Sequence, residues 1–381
     1  MRWIYACGLV ILLAGPSRGQ EWVEIVPEGE VPTRRMNASA IYEPLGHRMV
    51  IFAGAGPNGD LDDMWSLDLR QQRWSRIEPA TDVLPPARAT HNAIYDPAGH
   101  RMLIWSGQER TRQRAFFNDV WSFDLTTNTW TELQPPDPIP LNRYGTVAIY
   151  DPQARDLVTF AGFTDNGRFD DTWRFDLDGE MWTDVSPAQG PHERCLHSAS
   201  YDELNHRMIM YGGQQIGALK DIWAFDLSAN TWMELTPAEG PPGRSFPLHV
   251  YDELNHRVVI FGGNRMGALK QANDTWAFDL ATNTWQELAV AGVLPIERER
   301  AAGIFIPSEG RMIMYGGAGG GSILGDLWAL NELAQPQPTA VGETESALPS
   351  AFVLHQNYRH CSFVITNKSD KVHINRLFTY N

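Results

Sequence analysis

Short runs in which apolar and polar residues alternate recur along most of the chain, separated by turns rich in Gly, Pro, Asn and Asp. Around Trp276, for example, apolar residues alternate with small or polar ones, and Trp285 follows a turn made by Asp279 and Asn283. Asp and Asn are common in turns because their side chains bond nearby backbone and tolerate left-handed geometry. The pattern predicts two short strands joined by a hairpin, and an all-β protein overall.

This pattern recurs in phase along the chain. Each copy opens with Pro-x-x-Arg, has an aromatic residue seven positions after the Arg and a Gly twelve positions further on, and then an Asp-x-Trp after a segment of variable length. The arginines are Arg35, Arg88, Arg143, Arg194, Arg244 and Arg298, and the aspartates are Asp63, Asp119, Asp171, Asp221, Asp274 and Asp326. Repetition at a fixed period is typical of solenoids and propellers.

The sixth copy is incomplete, because no second Trp follows Trp328, whereas five other Trp have a partner nine residues later. Residues 21–26, with Trp22, match that missing part and precede the first Pro-x-x-Arg at a spacing that fits the repeat. We therefore expect residues 21–26 to be the outer strand of the sixth unit, which removes an open sheet edge.

These landmarks closely resemble the kelch repeat. The residues that carry the resemblance are the Pro-x-x-Arg opening, the Tyr-Asp hairpin, the paired Trp and the Gly-Gly doublets at 212–213, 262–263 and 316–317. Three units have Ala53, Ser106 or Ala161 as the first residue of the doublet, a small departure. The resemblance covers residues 20–333 and implies a six-bladed β-propeller with four-stranded antiparallel blades, its ring closed by the N-terminal strand.

The two ends of the chain read differently. Residues 1–19 have one Arg before a short apolar run and small residues after it, which is typical of a cleaved signal peptide. We therefore expect a secreted or cell-surface protein, with the periplasm as an alternative. Residues 334–350 read as a linker. Residues 351–381 begin like the C-terminal sorting domain of type IX secretion but lose its motif, which predicts a degenerate or truncated sorting tail.

Net charge and composition limit the partners. The formal net charge is −15, which disfavours nucleic acid and anionic membranes as partners, because both require a basic face. After the leader no stretch is long enough to span a bilayer. His91 and His197 have no neighbouring Cys or His at metal-ligand spacing. We expect a monomer without a metal or cofactor.

The strand order assigns the constant hairpins to one rim and the variable segments to the other. The variable segments, 55–62, 108–118, 163–170, 214–220, 264–273 and 318–325, share their rim with the Pro-x-x-Arg openings. Binding usually resides in variable loops on a rigid frame, so this rim is the expected binding face. The favoured interpretation of the six Arg is structural, with each one pairing with a carboxylate or with strand carbonyls between blades.

Two sets of candidate site residues lie on this rim. In the longest loop, the basic residues Arg110, Arg112 and Arg114 stand beside Phe116. They would contact an anion or a sugar, or else the loop is solvated with its Phe tucked underneath. The second set is Arg88, His91, Arg194 and His197, each His three residues after its Arg. They would converge at the channel mouth, or else fill structural roles.

Two functions remain open from the sequence. The first is a non-catalytic propeller that binds a protein or a glycan through its variable loops. The alternative resembles the kelch mutarotases and epimerases that act on acidic sugars. That activity needs a His or carboxylate pair at the channel mouth with Arg holding the sugar acid, and displaced pKa values there would favour it.

Overall fold

The fold is a six-bladed β-propeller, as predicted. A computed structural model describes residues 20–111, 115–267, 271–331 and 333, and the backbone of 353–356 and 363–366. Within residues 20–333 there are six antiparallel sheets of four strands, one of which gains a short fifth strand. The helical element of the described residues is one 3₁₀ turn, Pro307–Glu309.

The blades follow one another along the chain. Blade one consists of Ser39–Glu43, Arg48–Gly56, Gly59–Asp68 and Arg73–Ile77, and blade two of Asn92–Asp96, Arg101–Trp105, Val120–Asp124 and Thr129–Leu133. Blade three consists of Val147–Asp151, Asp156–Thr164, Gly167–Asp176 and Met181–Asp184, and blade four of Ser198–Asp202, Arg207–Tyr211, Ile222–Asp226 and Thr231–Glu234. Blade five consists of Leu248–Asp252, Arg257–Phe261, Thr275–Asp279 and Thr284–Glu287, and blade six of Ala302–Ile306, Arg311–Gly319, Ser322–Asn331 and Glu21–Ile25.

The hydrophobic core lies between neighbouring blades. Second strands such as Arg207–Tyr211 are buried on both faces, which explains why they read as continuous apolar runs. One of the clusters joins Phe52 of blade one to Trp130 of blade two, with ring centroids 5.0 Å apart. Aromatic side chains of this size contribute most of the apolar area that such a junction buries.

The N-terminal strand completes blade six, which confirms the expected closure. Glu21–Ile25 pairs antiparallel with the third strand of that blade, Trp22 opposite Leu330. The Trp22 ring is buried and lies 4.7 Å from that of Phe261 in blade five. Outside this strand, the short Ala291–Gly292 pairs with it in parallel.

The propeller has two faces, named here by their connections. The hairpin face carries the turns that join strands one and two and strands three and four. The loop face carries the connections between strands two and three and between consecutive blades. Two further short strands, Gln108–Glu109 and Ala115–Phe116, pair within the long loop of blade two.

The chain ends have a separate description. Residues 337–381 form a second compact unit, in which Val353–Gln356 and Phe363–Thr366 are paired antiparallel. The expected leader at 1–19 and linker at 334–350 lie outside the described residues. The sorting-tail interpretation stays a prediction.

Candidate functional site

Each of the six repeated arginines is buried in a bidentate ion pair. Every Arg bonds both carboxylate oxygens of the Asp-x-Trp aspartate of its blade, at 2.5–3.1 Å. It also donates to a second-strand carbonyl at 2.8–3.1 Å. The aspartate in turn accepts from the indole two residues later, which explains the Asp-x-Trp spacing. Arg88 and Arg194 are therefore occupied by Asp119 and Asp221.

These arginines also join neighbouring blades through their backbone. The repeated Gly of each preceding blade donates its N–H to the Arg carbonyl, as Gly213 does to Arg244. Gly213 has φ of 100°, and a Cβ there would stand 2.8 Å from the Cys195 carbonyl, so glycine is required. Burial alone would raise the pKa of Asp221, but the hydrogen bonds and charge of Arg194 outweigh it and lower that pKa. The expected pairing of each Arg with a carboxylate is therefore present, but within a blade, and the contact between blades is made by the Arg carbonyl.

A closed ring of backbone hydrogen bonds surrounds the channel mouth on the loop face. Two residues after each Arg, the N–H of one blade donates to the carbonyl of the blade before it, at 2.7–3.2 Å. The six ring residues are Asn37, Thr90, Gly145, Leu196, Phe246 and Arg300, all with φ between 53° and 67°. The frame of the mouth is therefore made by main chain alone, and its six side chains are all different.

The side chains of these ring residues give the mouth two unlike sectors. A Cβ on Gly145 would stand 2.6 Å from Leu196 Cδ2, so the leucine lies in the space that the glycine leaves. The Arg300 guanidinium lies over the Phe246 ring at 4.4 Å. Glu299 accepts from Arg300 Nε at 3.3 Å, which leaves both Nη groups without a partner among the described residues. The mouth encloses about 130 Å³.

His91 and His197 lie just inside this ring and line the same cavity. His91 Nε2 lies 2.7 Å from Ser39 Oγ, and the His197 ring packs edge-on against Phe160. Burial, and then the charge of Arg88, hold the pKa of His91 well below its ordinary value. Burial and Arg194 do the same to the pKa of His197. The predicted set is therefore divided: the two His converge, whereas Arg88 and Arg194 are in buried ion pairs.

The long loop of blade two is tied to the propeller. Arg110 bonds Asp60 of blade one through its backbone N–H, Nε and Nη2, and the Asp60 side chain is fully buried. Phe116 stacks on Tyr144 with centroids 5.4 Å apart. Arg110 therefore also stabilises the fold, because its loss would leave a buried carboxylate without its cation. Arg112 and Arg114 lie outside the described residues.

Beyond the mouth, the channel is polar in its middle and lined by aromatic residues at its hairpin end. In the middle, His249 lies 2.9 Å from both Ser198 Oγ and Ser200 Oγ. Burial lowers the pKa of His249 to about 3. The hairpin end is wider, about 380 Å³. It is lined by half-buried aromatics that pack against the core between the blades: Tyr42, Tyr95, Tyr150, Tyr201, Tyr251 and Phe305.

In the part of the chain that the structure describes, no group of three or more His, Cys, Asp or Glu could hold a metal ion. Within the same residues, no helix has the length and apolarity needed to cross a bilayer.

Six blades, each with a buried Arg–Asp pair and a pair of Trp, define a repeat propeller of the kelch class. The chain belongs to the kelch-repeat family, since the KLHDC2/KLHL20/DRC7 Kelch-repeats domain model matches residues 13–188 and 185–369.

Similar proteins come from animals and plants. The leucine-zipper-like transcriptional regulator 1 homolog of Drosophila melanogaster is 27% identical over 210 residues, 50% of this chain and 20% of that protein. Adagio protein 3 of Arabidopsis thaliana is 29% identical over 201 residues, 50% of this chain and 30% of that protein. Multiple epidermal growth factor-like domains protein 8 of Mus musculus is 25% identical over 193 residues, 49% of this chain and 7% of that protein. The matched region is thus less than a third of each relative.

Sequence reasoning missed Leu196, Phe246 and Arg300. Repeat alignment emphasises positions where all units agree, and the ring position holds a different residue in every unit. The sequence did contain an indication of this site. The position two residues after each repeated Arg holds a different residue in all six units, although the Arg before it and the strand after it repeat.

Proposed function

We propose that this propeller is an exported protein-binding domain that engages its partner through the loop face. The observation that carries the proposal is the distribution of exposed apolar side chains. Most exposed large hydrophobic residues belong to loop-face connections, including Val83, Leu84, Leu141, Ile216, Met266, Val293, Leu294 and Ile296. Ile216, at the tip of the blade-four loop, is 96% exposed. Exposed apolar surface with a polar surround is typical of interaction sites.

Family membership and the leader support the two parts of this proposal. Kelch propellers in larger proteins suggest protein partners, and here the matched relatives are much longer than the match. The apolar run within residues 1–19 supports export. Glycan binding stays a prediction.

The test uses one exposed apolar residue on each face. Random linear peptides displayed on phage are selected on the full chain, and the binders are measured against Ile216→Asp and Leu204→Asp. Leu204 is 71% exposed on a hairpin-face turn and is therefore a matched control. We expect Ile216→Asp to weaken binding about tenfold, ~1.4 kcal/mol, with no effect of Leu204→Asp. The reverse result would place the interaction on the hairpin face.

A second candidate, a mutarotase for acidic sugars, is favoured by one observation. His91 and His197 share a cavity whose rim includes Arg300. However, pKa values far below neutrality make both imidazoles weak bases. The mouth cavity of about 130 Å³ is also small beside the roughly 300–1,000 Å³ of usual ligand pockets. Acceleration of D-glucuronate mutarotation by the full chain, abolished in His197→Ala, would establish the enzyme.

A further inference from the structure

We infer that the loop-face mouth binds a peptide segment in which an apolar side chain, seated on Leu196 and Phe246, is followed closely by a single carboxylate that pairs with Arg300. This inference rests on the proposed function and names the partner's chemistry.

The first support is that the fold does not explain the ring side chains. A left-handed backbone favours Gly or Asn, and bulky or β-branched residues there are outliers. Asn37 and Gly145 satisfy this preference, whereas Leu196, Phe246 and Arg300 have φ of 61°, 53° and 62°. Such strain costs of order 1–3 kcal/mol per residue and persists mostly at functional sites. The backbone ring closes in every blade whatever the side chain, so its hydrogen bonds do not account for Leu, Phe and Arg at these three positions.

The second support is the grouping of the apolar residues. Leu196 and Phe246 begin blades four and five, and both are half-buried and line the mouth. The loops of the same two blades present Ile216, 96% exposed, and Met266, 37% exposed. On the opposite side of the ring stand Asn37 and Thr90. The apolar sector thus runs from the mouth outward over two blades, which fits an apolar anchor inserted into a small pocket.

The third support is charge. Arg300 is 29% exposed, and its two Nη groups have no partner among the described residues. The Phe246 ring under its guanidinium holds it in place, and guanidinium groups bond carboxylates through a fixed fork of donors. Because the chain carries a net charge of −15, a run of acidic residues would be repelled. One carboxylate next to an apolar anchor satisfies both conditions.

The variants for the test are chosen from the repeat itself. Asn replaces Leu196, Phe246 or Arg300, as Asn37 does in blade one, and Leu204→Asp on the hairpin face is the control. Because Asn tolerates this backbone, the melting temperatures should stay equal or rise, so a loss of binding would not reflect unfolding.

Peptides selected on the full chain should contain a Leu, Phe or Met with an Asp or Glu within two positions. Leu196→Asn or Phe246→Asn should weaken them at least tenfold, and Leu204→Asp should not. Arg300→Asn should weaken the acidic peptide but not its version with Asp or Glu replaced by Ala, a coupling that a double-mutant cycle measures.

Several results would overturn the inference. These are selected peptides that lack this pattern, or binding that is unchanged in Phe246→Asn and Arg300→Asn. If only Ile216→Asp abolishes binding of such peptides, the proposed function stands and the inference that they bind at the mouth is wrong. If only Leu204→Asp abolishes it, both the proposed function and the inference are wrong.

Discussion

The two ends of the channel hold neighbouring blades together by different means. At the loop end, main-chain hydrogen bonds make the junctions: those of the closed ring, and those from each repeated Gly to the carbonyl of an Arg in the next blade. Each of these buried Arg is held in place by an Asp of its own blade. At the hairpin end, side chains cross from blade to blade: His47 to Glu309, His100 to Glu43, Arg155 to Asp96, His206 to Asp151 and His256 to Asp202, at 2.8–3.4 Å.

This difference explains which residues vary. Where side chains make the junction, they must be retained, and the hairpin end repeats a Tyr in five blades and a His in four. Where the main chain makes it, the side chain at the ring position is free to change, and six different residues stand there. The end whose junction does not depend on its side chains is the end at which we place binding.

The largest effect is expected from the ion pairs of the loop end. Arg194→Ala would leave the Asp221 carboxylate in a mostly buried position without its cation, so the free energy of unfolding should fall by about 3–5 kcal/mol. Urea unfolding at pH 7 measures the change, and Arg34→Ala, at an exposed position beside Arg35, is the control. A loss below about 1 kcal/mol would mean that the backbone ring holds the junction unaided.

The next effect concerns pH and the middle of the channel. Because the pKa of His249 is lowered to about 3, the folded state keeps it neutral, whereas the unfolded chain takes up a proton below about pH 6.5. Stability is therefore complete above pH 6.5 and falls as the pH drops toward 3. At pH 5 the loss from this residue should be about 1–2 kcal/mol, allowing for its partial exposure to the channel.

His249→Ala tests this expectation, because four other blades have Ala at the same position. The variant should lose less stability between pH 7 and pH 5 than the parent chain does. An identical pH dependence in the two proteins would show that channel water solvates the imidazolium fully.

The architecture could be read from the sequence because it depends on residues that repeat. The position of Trp22 predicted the closing strand. The repetition of Arg and Asp in every unit predicted a structural role, since a repeated structure needs the same group in every blade. Contacts that occur once could not be read. Arg110 lies in the long loop of blade two and Asp60 in the third strand of blade one, and no pattern links them. Leu196, Phe246 and Arg300 belong to one ring only through main-chain hydrogen bonds. Such bonds do not require a particular residue type, so the sequence did not predict that these residues lie together.

A smaller effect is expected at the hairpin end. His206→Asn keeps a residue that tolerates φ of 49° but cannot reach Asp151 across the junction. One hydrogen bond to a buried carboxylate is lost, so the free energy of unfolding should fall by about 1 kcal/mol. The exposed His192 supplies the control, His192→Asn. Equal stability of the two variants would show that the side-chain contacts between blades do not stabilise the hairpin end.

The smallest effect carries the opposite sign and is expected at the ring. Thr90 is β-branched, has φ of 59° and holds no partner for its hydroxyl among the described residues. Asn stands at the same position in blade one and tolerates the left-handed backbone. Thr90→Asn should therefore leave the free energy of unfolding unchanged or raise it by up to about 1 kcal/mol.

At the hairpin end, Tyr95→Asn should instead lower the free energy of unfolding by about 2 kcal/mol, because the Tyr ring packs between blades. Thermal unfolding of the two variants side by side measures the contrast. If Thr90→Asn is the more damaging of the two, the side chain and not the main chain holds the ring, and its variability among blades needs another cause.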